Sequence, residues 1–308
     1  MRALPLLVSA GLFVACLLAV DARAVVSELS DIEMRWVLAA FALHLVQLAL
    51  LACRWTVVAR ALGLPLDFWR ALGEYALSVF VNQVVPGGLA GDGMRALRHA
   101  RQSESTSVLR AVEALAVDRA SGQVAYWFCV ALTAPLAVTQ RIVEPRVLAG
   151  VVLGTAALVA GSWYALERFA PETGLFGRAR RSLRRVAWVL LHPRQVAAHL
   201  PLSFAFVAVT LLQFHVAALA IGAPLEFSQL VWIGPLILSA SSIPSFGGGW
   251  GVREGASAVL FGAAGLSGSL GVAVSVVYGV FGLVVSTLGL GVWWLVERLR
   301  QKPASMAA

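Results

Sequence analysis

Two arginines, Arg95 and Arg253, each close a glycine-broken run inside apolar sequence. The first run reads Asn82-Gln83-Val84-Val85-Pro86-Gly87-Gly88-Leu89-Ala90-Gly91-Asp92-Gly93-Met94-Arg95, and the second Ser242-Ile243-Pro244-Ser245-Phe246-Gly247-Gly248-Gly249-Trp250-Gly251-Val252-Arg253. Aligned on proline, both read Pro, four residues, Gly, any, Gly, any, Arg, with Pro86 and Pro244 158 positions apart, about half of the 308 residues. A helix that begins after such backbone offers unpaired N–H groups and the positive end of its dipole, an arrangement that favours anions, phosphate above all. A guanidinium in the first two turns adds paired, charge-assisted hydrogen bonds. At bilayer depth an arginine costs about 2.5–3.5 kcal/mol on insertion scales, so each needs an acidic partner or a polar cavity. Glu254 adjoins Arg253, and Asp92, Glu113 and Asp118 lie near Arg95 and Arg119 in the chain. Asn82 and Gln83 are placed to line the same cavity, whereas His44, Gln213, His215 and Tyr278 read as packing contacts within spans. For one motif alone, close helix packing with snorkelling arginines explains the pattern as well; the matched pair favours a site.

The elements that must hold these residues are membrane helices. The chain is 59% hydrophobic and 13% charged, with a mean hydropathy of +0.82, where a soluble domain carries roughly 25% charged residues. The net charge of +8 comes almost wholly from arginines between apolar runs, Lys302 being the one lysine. That placement points to membrane topology and anionic headgroups, not nucleic acid. Cys16, Cys53 and Cys129 all fall in apolar segments without CxxC spacing, which supports neither a disulfide framework nor a zinc site. No metal-ligand cluster of His, Asp or Glu and no phosphate-binding Gly-x(4)-Gly-Lys-Ser/Thr loop occurs, so neither a metal, a cofactor nor a nucleotide is expected.

In order, residues 4–20 and 36–58 read as spans, the first with a cleaved leader as its rival. Residues 72–85 form a short run entering the first motif, and 106–118 alternate apolar and charged positions at helical spacing. Spans at 121–138 and 147–166 follow, the former open to continuity with 106–118, then a long basic connection in which 178–191 reads as an amphipathic helix on the membrane surface. Residues 200–221 span, 230–243 enter the second motif, 255–266 return, and 270–295 are the last span. Arginines gather in 95–119, 167–197 and after 297, while 21–35 is acidic and 222–229 lacks Lys and Arg. The positive-inside rule then puts both termini in the cytoplasm and makes the two motif segments re-entrant.

The expected fold is therefore one all-α polytopic membrane domain over 1–308, with about six full transmembrane helices and two broken or re-entrant helix pairs. Repeat 1 covers about 1–140 and repeat 2 about 146–300. Three full crossings per unit invert the second copy, and broken helices at matching positions mark a transporter's binding site.

The residues Asn82…Pro86-Gly-Gly-Leu-Ala-Gly-Asp-Gly-Met-Arg95, Asp118-Arg119 and Ile243-Pro244…Gly249-Trp-Gly251-Val-Arg253-Glu254-Gly255, with Arg54-Trp55, resemble the lysylphosphatidylglycerol synthase transmembrane, flippase-like family. The similarity covers nearly the whole chain. It implies a polytopic protein of the bacterial cytoplasmic membrane that moves or handles phospholipids or polyprenyl-phosphate-linked lipids. It also implies that Asn82, Pro86, Gly91, Asp92, Arg95, Asp118, Arg119, Pro244, Gly249, Gly251, Arg253 and Glu254 bind substrate, with no catalytic residue. The first motif lacks the Arg-Glu-Gly ending of the second, so the two sides need not bind alike. No soluble aminoacyl-transferase domain like that of the fused members is present in the 308 residues, so lipid aminoacylation is not expected of them. The leading expectation is a lipid translocase with an anionic headgroup between Arg95 and Arg253. The alternatives are a membrane-embedded transferase on a lipid-linked substrate and an accessory lipid-binding subunit.

Overall fold

The structure, a computed structural model, describes residues 33–85, 89–101, 107–139, 173–223, 225–240 and 250–301, with isolated positions between 146 and 168. Among them lie nine helices and no strand. They are α1 (Met34–Ala61), α2 (Phe68–Val84), α3 (Ala90–Arg101), α4 (Val108–Thr139), α5 (Gly174–Leu191), α6 (Pro193–Ala220), α7 (Phe227–Ala240), α8 (Val252–Ala263) and α9 (Gly268–Gln301). The expected span at 4–20, the span at 147–166 apart from positions 160, 161 and 164, and Pro86, Pro244 and Gly249 lie outside the described residues.

Met34–Ala61, Pro193–Ala220 and Gly268–Gly291 are long and apolar enough to cross a bilayer, and Phe227–Ala240 is a shorter apolar helix. Large apolar side chains such as Leu38, Leu132, Val259 and Leu288 are exposed on the outer surface. In water that surface is unfavourable; against hydrocarbon it is the expected exterior. The chain is an all-helical integral membrane protein.

Local chemistry sets several helix ends. The Asp67 side chain accepts a hydrogen bond from the Arg70 N–H at 2.9 Å and caps α2. Pro193, which has no N–H to donate, opens α6 directly after α5, with His192 in extended geometry between them. The helical stretch expected before Asp118 and the span at 121–138, whose continuity the sequence left open, form one continuous helix of 32 residues, α4, from Val108 to Thr139.

The helix order α1–α4, of 28, 17, 12 and 32 residues, is followed after α5 by α6–α9, of 28, 14, 12 and 34 residues. Packing follows the same order. α1 lies along α6, α2 packs on α9, and α7 packs on α4, while each short helix, α3 or α8, lies against the helices before and after it. One apolar core gathers Leu48, Trp55, Val58, Tyr75 and Val117, joined by Val189 of α5. The other gathers Phe214, Ile233, Phe261 and Val272, joined by Ala125 and Tyr126 of α4. Gln47 of α1 donates to Thr210 Oγ1 of α6 at 2.8 Å, fastening the seam between the two sets.

Candidate functional site

The site is built first from two glycines that no other residue replaces easily. At Gly91 an added Cβ would sit 2.1 Å from the Ser78 carbonyl oxygen, so the start of α3 rests on the backbone of α2. The Gly91 N–H also donates to Asn82 Oδ1 at 2.8 Å, which satisfies one of the helix's unpaired donors. Gly91→Ala should therefore force the two helices apart and destabilise the protein by about 1–3 kcal/mol, the usual cost of overpacking. Thermal unfolding in one fixed detergent would measure it, with Gly93→Ala, where nothing among the described residues lies within 4 Å, as the control. Gly251, before α8, has φ +86°, a conformation L side chains rarely adopt.

Close approach of α3 to α2 brings together a buried charge network. Asp92 accepts hydrogen bonds from Ser78 Oγ (3.3 Å), Asn82 Nδ2 (3.2 Å) and Arg95 Nη2 (3.1 Å), and is paired with Arg119. Asp118, wholly buried, accepts from Arg54 Nε (2.8 Å), Arg95 Nη2 (3.1 Å) and the Tyr75 hydroxyl. Arg95, 1% exposed, is held between rings: its guanidinium carbon lies 3.7 Å from the Tyr75 ring centre and 4.2 Å from that of Trp55. Among the described residues its Nε and Nη1 have no hydrogen-bond partner, and the two π faces take the place of acceptors for them. Arg54 reaches further, with Nη1 3.4 Å from Ser203 Oγ of α6.

The second motif forms a smaller cluster. Arg253 donates through Nε to Ser275 Oγ (2.8 Å) and through Nη2 to Glu254 Oε1 (2.7 Å) and the Ser275 carbonyl (3.2 Å). Glu254 Oε2 accepts from the Gly251 N–H at 2.6 Å, so the N-terminus of α8 is already capped by its own carboxylate. Trp250 and Tyr278 flank the guanidinium at 5.3 and 5.0 Å.

Between these clusters lies a cavity of about 240 Å³. Its walls carry cations from both sets of helices, Arg54 and Arg119 from one and Arg253 from the other, with Asp92 and the polar side chains of Gln47, Asn82, Gln83, Gln123 and Thr210. Tyr75, Tyr126, Phe206 and Tyr278 supply rings. Counting both clusters, four guanidiniums (Arg54, Arg95, Arg119, Arg253) face three carboxylates (Asp92, Asp118, Glu254), a net +1. Arg119, with its side chain 44% exposed, is the most accessible of these cations.

Of the residues singled out in the sequence, the fold brings Asn82, Gly91, Asp92, Arg95, Asp118 and Arg119 into one cluster and Gly251, Arg253 and Glu254 into the other. Arg95 and Arg253 do not occupy equivalent places. Arg95 is the sixth residue of α3 and absent from the cavity wall, whereas Arg253 is the second residue of α8 and on it. The acids are what match, since Asp92 and Glu254 are each the third residue of their short helix. Glu113 belongs elsewhere, pairing with Arg185 of α5. Arg54, Tyr75, Trp55 and Ser275 were not among the expected site residues. The signal for Arg54 was a charge inside an apolar span, which calls for a partner by itself. Tyr278, expected as a packing contact, borders the cavity.

Helices with an apolar exterior, enclosing a polar cavity with a net positive surround, define an integral membrane protein with an internal polar site. The chain belongs to the lysylphosphatidylglycerol synthase transmembrane region family, whose profile matches residues 2–289. Neither a curated protein nor a solved structure gives a significant match. Membership places the protein among membrane proteins of lipid-related processes.

Proposed function

We propose that this protein is a flippase-like lipid translocase, moving an anionic phospholipid or polyprenyl-phosphate-linked lipid across the bacterial cytoplasmic membrane with its headgroup in the central cavity. The observation that carries this reading is the cavity wall itself, with Arg54 and Arg119 on one side and Arg253 on the other. A phosphate held by guanidiniums from both halves would be released from either half when that half moves. The ordered recurrence of helix lengths and pairings supports an inverted repeat, with both termini cytoplasmic and the two short-helix segments acting as opposite gates. In this reading Arg95 positions the site, holding Asp92 and Asp118 in place, while Arg119 and Arg253 meet the headgroup.

The test is lipid scrambling in reconstituted liposomes with a fluorescent anionic lipid. Arg119→Gln should lower the rate at least about tenfold, because it removes a charged hydrogen bond worth about 1.5–3 kcal/mol. An unchanged rate in a correctly folded Arg119→Gln protein would overturn the assignment. Headgroup turnover in detergent micelles, where no second leaflet exists, would replace it with a membrane-embedded transferase. Lipid binding without scrambling would replace it with an accessory lipid-binding subunit.

A further inference from the structure

A second cationic site lies away from the cavity, where α5 meets the ends of α1 and α4. α5 carries Arg178, Arg180, Arg181, Arg184 and Arg185 and no acidic residue. It is fixed to the protein at two places: Ser182 and Arg185 bond to Glu113 of α4, with Arg185 Nε 2.9 Å from Oε2, and Val189 is buried in the first core. Trp188, 50% exposed, stands between two depressions. The inner one, about 160 Å³, is lined by Ala61, Leu62, Arg110, Arg185 and Trp188. The outer one, about 340 Å³ and open, is lined by Arg184, Ala187, Trp188, Leu191 and His192. Arg110 spends one N–H on the Leu62 carbonyl at 3.3 Å, which orients its guanidinium beside the groove.

We propose that this groove binds one anionic phospholipid from the leaflet on that side, its phosphate between Arg110, Arg184 and Arg185 and its acyl chains along Trp188 and Leu191. Charge complementarity selects the headgroup: Arg184 lines one depression and Arg110 and Arg185 the other, Trp188 borders both, and Glu113, bonded to Arg185, offsets one of the three positive charges. The exposed Leu183, Trp188 and Leu191 select a lipid over a free phosphate or an acidic peptide, since they offer hydrocarbon contact beside the charges. Among the described residues none of this groove lines the central cavity, so the site stands whether or not the protein translocates lipid.

Photo-crosslinking tests it. The full chain, in a neutral detergent at physiological salt, is labelled with phosphatidylglycerol carrying a diazirine on an acyl chain, and the labelled peptides are mapped by mass spectrometry. Labelling should fall on the peptide containing 183–192, compete with plain phosphatidylglycerol and resist phosphatidylcholine. Arg184→Gln and Arg110→Gln should each weaken it about tenfold, the value of a charge-assisted hydrogen bond. Arg178→Gln removes the same charge from the same helix but lies roughly 9 Å further along the axis, beyond a Debye length of about 8 Å. It should change labelling less than about twofold. Equal losses for Arg178→Gln and Arg184→Gln would mean diffuse surface charge and overturn the proposal, as would equal competition by phosphatidylcholine. Arg184 is exposed on α5, so its variant keeps the test valid if Arg110→Gln fails to fold.

Discussion

Asp118→Asn should be the most destabilising single substitution in this protein. The carboxylate is wholly buried and serves Arg54, Arg95 and Tyr75 at once. Its loss leaves two guanidiniums in the interior with too little counter-charge, and breaking one side of a buried ion pair typically costs about 3–5 kcal/mol. In a fixed detergent the midpoint should drop on the order of 10 °C, or the folded peak should vanish from size-exclusion chromatography. Adding Arg95→Met should recover part of the loss, because it removes one stranded cation and leaves an apolar chain between Trp55 and Tyr75. A midpoint within two degrees or so of the wild type for Asp118→Asn alone would show that water or lipid compensates these charges.

The second large effect concerns transport with stability held constant. Replacing Arg253 and Glu254 together by glutamine removes one charge of each sign, so the net charge of the surround is unchanged. Both side chains keep hydrogen-bonding groups for Ser275 and the Gly251 N–H, and substituting a buried pair as a pair is often close to neutral for stability. Scrambling of an anionic lipid should nevertheless fall about 10- to 100-fold, since the cation contributed by the second half of the cavity is gone. Restoring the cation alone, as Glu254→Gln with Arg253 intact, should give a rate well above that of the double variant. Equal rates for these two proteins would show that Arg253 has no part in handling the headgroup.

Much of this arrangement was legible in the residues. Apolar length located 36–58, 200–221 and 270–295, which overlap α1, α6 and α9 with ends at most seven residues off, because a bilayer fixes how much hydrocarbon a helix must cover. The Pro/Gly motifs located the starts of α3 and α8, since glycine is needed where the backbone of α3 touches Ser78 and where Gly251 turns to positive φ. Asp92, Asp118 and Glu254 followed from the need of a buried arginine for an acid. What spacing hid was assignment. Aligning on proline equated Arg95 with Arg253, yet the helices begin at different distances from those prolines, so one guanidinium turns into a ring sandwich and the other toward the cavity. Arg54, Tyr75 and Ser275 come from distant helices, and only tertiary packing brings them to the motif residues.

The capping of α8 by Glu254 and the grip of Asp92 on Arg119 give the site an occupant of its own. A tethered carboxylate competes with any visiting anion at an effective concentration in the millimolar range or above, set by the covalent link. Dissolved chloride or phosphate arrives against that competitor with only its bulk concentration. A lipid is itself confined to the membrane, so its headgroup meets the site on comparable terms. On the translocase reading, the same carboxylates that neutralise the arginines at rest would keep the membrane closed to small ions while a lipid passes.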